Sequence, residues 1–235
     1  MNRTSTKSAF FDGMRDGAPF LLVVAPFGLL FGVVGTEAGL NLVEVMAFTV
    51  LVIAGSAQFT AVQLMSENAS TVIVLLTALA VNLRMAMYSA SLVPHLGAAP
   101  FWQRALVSYL NVDQAYAVSI AKYEQEPAMP LREKTAYFLG IMALIAPLWY
   151  LVTLIGALVG KQIPPEYALD FALPITFIAL VAPAIKSLPH LVAAFLSAVL
   201  TLAFIGLPAG MGLLLAAAIA MTVGAELEAW LERRA

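Results

Sequence analysis

Two opposite charges lie inside apolar stretches of this chain. Arg84 interrupts TVIVLLTALAVNLRMAMYSASLVPH at 71–95, and Asp113 interrupts FWQRALVSYLNVDQAYAVSIAKY at 101–123. As a helix, residues 71–94 would be about 36 Å long, enough to cross a hydrocarbon core of about 30 Å, and Arg84 would lie near its middle. An arginine at that depth costs roughly 2.5–3.5 kcal/mol on insertion scales, so it normally faces protein or a wet cavity and has a partner. Consecutive antiparallel spans put Asp113 at a comparable depth, which predicts that the two pair, with Asp170 as the second candidate partner. On the 3.6-residue repeat Tyr88 and Ser91 share the face of Arg84, and Ser89 falls below Asn82, so one side of the helix is polar. Gln58, in AGSAQF at 54–59, adds an amide that needs partners within the membrane. Its neighbours Gly55, Ser56 and Ala57 are small enough for another helix to approach closely.

The chemistry these residues can do is that of a substrate or coupling site, with a guanidinium to read an anion and a carboxylate and an amide to read a cation or a donor. The same pair could instead do no more than lock helices together.

The elements that must position these groups are membrane helices. The 235 residues are 62% hydrophobic and 11% charged, with a mean hydropathy of +0.92, whereas soluble domains carry about 25% charged residues. Alternating ten-residue strands, the mark of a membrane barrel, are absent. The fold class is all-α and polytopic. Hydropathy predicts eight segments, near 18–36, 42–64, 70–95, 101–122, 134–159, 166–186, 190–206 and 208–228. The tight turn GLPAG at 206–210 leaves six spans plus a re-entrant hairpin as the alternative, which sets the count at about seven to eight. Residues 1–17 form a cytoplasmic N-terminal segment, 18–228 a single transmembrane domain and 229–235 a cytoplasmic tail. Segment one contains Pro26 and Gly28, and segment six contains Pro174 and Pro183. A proline inside a helix removes a hydrogen bond and clashes with the preceding turn. Two broken helices of opposite direction are a sequence pointer to a binding site at an inverted-repeat interface, where exposed N–H groups near Gly28 or Pro174 could hold a carboxylate.

Basic residues orient these spans. With the N-terminus inside, nine fall in inside regions and two, Arg104 and Lys161, outside, with Arg84 intramembrane. Both termini are therefore expected in the cytoplasm. No cleaved signal peptide is expected, since no small-residue cleavage site follows the first apolar stretch. Absence of cysteine excludes disulfides and thiolate chemistry. No HExxH, GxSxG, P-loop or metal-ligand cluster occurs, so neither an enzyme, a bound cofactor, a metal site nor an ATP-driven pump is expected. No basic patch with interleaved aromatics points to nucleic acid. The readings that remain are an ion- or substrate-gradient permease, a non-transporting scaffold subunit of a membrane complex, and a passive channel.

The ordered series PFGLLFG (26–32), AGSAQF (54–59), NLR (82–84), YSASLVPHL (88–96), Asp113 with Tyr116, and FALPITF (171–177) resembles the AzlC family. Those are the larger subunits of two-component branched-chain amino acid exporters. The resemblance implies export of leucine, isoleucine, valine or similar amino acids across a bacterial inner membrane, with a small AzlD-like membrane protein as partner. For such a zwitterion Arg84 would read the carboxylate, Asp113 with help from Gln58 the ammonium, and Leu, Phe and Met side chains would line an apolar pocket of broad selectivity, so the candidate substrate-binding residues are Arg84, Asp113, Asn82, Gln58, Ser56, Tyr88, Gly28, Pro26 and Pro174. Gln114 stands where the family commonly has an acidic residue, and Met85 where a histidine often follows the arginine.

Overall fold

The computed structural model describes residues 5–160, 185, 187–207 and 211–234, and the regular structure among them is helical. They gather into two compact units, residues 1–59 with 79–167 and residues 60–78 with 168–235. Four helical stretches among the described residues are long and apolar enough to cross a membrane: Thr6–Glu37, Thr71–Leu96, Leu131–Gly160 and Gly212–Leu231.

The spine of the first unit is a parallel pair. Helix α1 (Thr6–Gly17), a 3-10 turn at Ala18–Phe20 and α2 (Leu21–Glu37) continue one another beside α8 (Leu131–Gly160). Lipid supplies no hydrophobic force between helices, so association depends on close packing through small residues. This seam has them along its whole length: Gly13 faces Tyr137, Gly28 faces Trp149 and Val152, and Gly32 faces Thr153 and Ala157. From the other side Gly140 meets Phe10 and Gly156 meets Leu29. Pro26 does not break α2, contrary to the expectation for segment one. Pro26 is exposed, and the residues around it are held to α8 by Gly28 and Gly32, so tertiary packing outweighs the lost hydrogen bond. Segment six, with Pro174, lies outside the described residues.

The breaks fall in segments two and four instead. Asn41 caps α3 (Leu42–Leu51) in a reciprocal capping box with Glu44. The chain leaves the helix at Val52–Ala54 and resumes as α4 (Gly55–Ser66). Helix α3 runs antiparallel to α2, with Val45 at Gly35 and Phe48 at Phe31. The start of α4 runs back along the same helix, with Gly55 at Phe27 and Phe59 at Phe31. The Gln58 amide reaches across to the Thr49 hydroxyl at 3.0 Å. Segment two is thus a hairpin that enters and turns back. Segment four does the same. Helix α6 (Phe101–Tyr109) ascends against α5 (Thr71–Leu96), non-helical residues Leu110–Val112 make the tip, and α7 (Asp113–Gln125) descends parallel to α5. The parallel direction follows from Asp113 at Arg84, Tyr116 at Tyr88 and Ser91, and Tyr123 at His95.

The two hairpins are matched. Their first arms have 10 and 9 residues and their second arms 12 and 13. An arm of ten residues is about 15 Å long, half the hydrocarbon thickness. The first hairpin hangs from the C-terminal end of α2 and the second from the C-terminal end of α5. Helix α5 opposes α8 in direction, since His95 at its end lies 3.3 Å from Lys134 near the start of α8. Helices α1–α4 and α5–α7 therefore form an inverted pair among the described residues, while the pairing of segment one with segment six falls outside them. Arg104, in the arm that follows α5, consequently lies at the same end of the unit as Lys122 and Lys134, and not on the opposite face as eight straight spans would require.

In the second unit α9 (Leu188–Ala203) and α10 (Met211–Glu232) lie antiparallel, with Gly224 against Ala193 and Gly212 against Phe204. They correspond to segments seven and eight.

Two outcomes are expected. A Cβ at Gly156 collides with the Leu29 carbonyl, so Gly156→Ala should cost about 1–3 kcal/mol in thermal unfolding. Gly206→Ala, with nothing nearby, should leave the melt unchanged. Secondly, single cysteines at Ala98 and Ala128 should react with a charged thiol reagent from the same side of the membrane. Reaction from opposite sides would restore straight spans.

Candidate functional site

The site forms where the two hairpin tips meet the middle of α5. Ser56 is the second residue of α4, and Asp113 the first residue of α7. Both reach Arg84: its Nη2 donates to Ser56 Oγ and lies 3.2 Å from Asp113 Oδ2. The tips also hold one another, since the Tyr109 hydroxyl donates to the Val50 carbonyl and lies 2.9 Å from the Tyr150 hydroxyl. Non-helical backbone at membrane depth persists only where protein or water satisfies it. Here Ile53, Ala54, Asn111 and Val112 at the two tips are buried.

The ion pair is not closed. Its side chains are 30% and 42% exposed, so it carries the energy of a partly solvated pair, about 0.2–1 kcal/mol, rather than the 3–5 kcal/mol lost when a fully buried pair is broken. What the pair leaves unused is more informative. Arg84 Nε and Asp113 Oδ1 are buried without hydrogen-bond partners among the described residues. One is a charged donor and the other a charged acceptor. Two half-helix N-termini converge here as well, and Val112 gives α7 no side-chain cap. Each contributes partial positive charge, which with Arg84 exceeds the single negative charge of Asp113. The surplus favours an added carboxylate.

An aromatic layer adjoins the polar centre. Phe27 packs on Phe59 at 4.8 Å and on Trp149 at 6.0 Å, and Phe31 stacks on Trp149 at 6.4 Å. Gly55 lies directly against Phe27 and Trp149. On the other side Tyr88 stacks on Tyr116 with ring centroids 4.2 Å apart, its hydroxyl beside Asp113. The Tyr116 hydroxyl donates to Ser91 at 3.0 Å.

Of the residues singled out in the sequence, Arg84, Asp113, Ser56 and Tyr88 come together. Gln58 is fully buried two residues beyond Ser56, but its Nε2 donates to Thr49 and its Oε1 accepts from the Ala54 amide at 3.4 Å. These bonds brace the first hairpin. Gly28 is a packing contact on α8, and Pro26 faces outward. Asn82 lies about 200° around α5 from Arg84 and keeps a buried, unpartnered Oδ1. Sequence reasoning missed Trp149, Tyr109 and Tyr150. An isolated aromatic in an apolar helix carries no signal of its own, and only the hairpin geometry brings these to the centre.

Paired re-entrant hairpins around an intramembrane ion pair define a polytopic helical membrane protein of the transporter kind. The sequence signature described as AzlC protein matches residues 19–163, and the chain belongs to that family. Similar chains are the inner membrane protein YgaZ of Escherichia coli K12, 26% identical over 73% of this chain and 71% of its own length. A membrane protein of Archaeoglobus fulgidus is 26% identical over 87% of this chain and 88% of its own, and one of Helicobacter pylori 26695 is 26% identical over 73% and 74%. No solved structure matches.

If Gln58 is a brace, Gln58→Ala should leave the buried Thr49 hydroxyl unpaired and cost about 1–3 kcal/mol in a thermal melt. The apparent affinity for transported substrate in the surviving protein should stay unchanged.

Proposed function

We propose that this chain is the large subunit of a two-component permease that exports branched-chain or similar apolar amino acids. The observation that carries the reading is the pair of unused atoms: Arg84 Nε is a free donor for a carboxylate, and Asp113 Oδ1 a free acceptor for an ammonium. A zwitterion is the ligand class that needs both, and the Phe27–Phe59–Trp149 layer beside Gly55 supplies the apolar surface for its side chain. With no nucleotide-binding signature in the sequence, an ion gradient or the substrate's own gradient supplies the energy, and the chain is not an enzyme.

The bilayer is the bacterial inner membrane, with both termini cytoplasmic. Within residues 5–160 the basic residues other than Arg84 are Lys7, Arg15, Arg104, Lys122, Arg132 and Lys134, and all belong to the end of the first unit where α1 and α8 begin. Such an excess marks the cytoplasmic side. The partner is a small AzlD-like membrane subunit. Transport by this chain alone is accordingly expected to be weak.

Leucine export measured in proteoliposomes that hold both subunits tests this reading. Arg84→Gln and Asp113→Asn should each abolish transport, while a double-mutant cycle in thermal stability gives a coupling of only about 0.2–1 kcal/mol. The double variant should recover stability but not transport. Recovery of export by the double variant would make the pair architectural and leave a scaffold role as the reading to pursue.

A further inference from the structure

A second cavity in the first unit has no role in the arrangement described so far. It holds about 420 Å³ between α5 and α6 and is lined by Leu92, Val93 and Leu96 on one side and Phe101, Ala105 and Ser108 on the other. That volume lies within the roughly 300–1,000 Å³ usual for small-molecule sites. Arg104 stands in its outer part. Its inner end is Asn111, in the tip of the second hairpin, which is 4% exposed and donates from Nδ2 to Ser89 at 3.3 Å. Asn111 Oδ1 is buried and has no partner among the described residues. A buried amide oxygen left unpaired costs about 1–3 kcal/mol, which a ligand N–H would offset. Asn111 is two residues from Asp113, so the inner end of this cavity adjoins the central ion pair.

Resting on the export reading above, we propose that this cavity is a vestibular subsite through which an apolar amino acid passes between the cytoplasmic face and the central ion pair. Arg104 draws the carboxylate at the mouth. Asn111 Oδ1 accepts from the ammonium at the inner end, and Leu92, Val93, Leu96 and Phe101 cover the aliphatic side chain. The ammonium then moves from Asn111 to Asp113 over the hairpin tip, with no bond made or broken. The second hairpin is thereby both the inner wall of the vestibule and a ligand of the central site.

The chain has no cysteine, so Ser108→Cys places a single thiol on the cavity wall. In proteoliposomes with both subunits, a charged methanethiosulfonate applied from the side of α1 should modify this thiol and lower leucine export several-fold. Leucine should slow the modification and glutamate should not. Arg104→Gln should raise KM for leucine about tenfold, the scale of one charge-assisted hydrogen bond, with kcat little changed. A thiol that reacts only with an uncharged, lipid-soluble maleimide means that acyl chains fill the groove, which overturns the proposal. A thiol that reacts equally fast with and without leucine, in a variant that still exports leucine, overturns the vestibule and leaves the central site standing. Absence of leucine export from the unsubstituted protein overturns the export reading itself.

Discussion

A guanidinium in the middle of an apolar helix must be given partners, and the first unit is arranged to deliver them. Arg84 obtains one from each hairpin tip, Ser56 at the start of α4 and Asp113 at the start of α7. The tips need the arrangement as much as Arg84 does. Each exposes three residues of non-helical backbone, Val52–Ala54 and Leu110–Val112, at a depth where water is excluded unless a cavity admits it. Backbone break and ion pair are one structural solution, and it leaves Arg84 Nε and Asp113 Oδ1 without partners among the described residues.

Rigidity comes from elsewhere. The glycines along α1–α2 and α8 let two backbones approach in a parallel seam that side chains of ordinary size would hold apart. That seam carries Phe27, Phe31 and Trp149, whereas Phe59 of the same aromatic layer and Ser56 belong to α4 and Asp113 to α7, half-helices joined through a few tip contacts.

Matched arms and opposite insertion make α1–α4 and α5–α7 an inverted pair with no visible sequence likeness. Short half-helices need only length, a cap and a break, and many sequences supply those. Asn41 with Glu44 caps one first arm and Pro100 precedes the other. The two hairpins differ at their tips: hairpin one brings a serine and a glycine to the centre, and hairpin two an aspartate.

The sequence by itself determined the class and the centre. Composition required a helical membrane protein, the cost of Arg84 required a partner, and Asp113 was the nearest acid at a comparable place in the neighbouring segment. It also indicated broken helices, taking proline as the cause; of the two, segment one is unbroken and segment six lies outside the described residues. Pro26 sits in an unbroken helix held by glycine packing, while segments two and four break at Val52–Ala54 and Leu110–Val112, where no proline stands. Hydropathy registers an apolar run in the same way whether it crosses or turns back, so only tertiary contacts such as Phe31 with both Phe48 and Phe59, or His95 with Tyr123, reveal the hairpins. The same contacts set the Gln58 amide against Thr49, Trp149 against Gly55, and Arg104 at the same end as Lys134. Each depends on which residues distant in the chain are brought together, and local pattern carries no record of that.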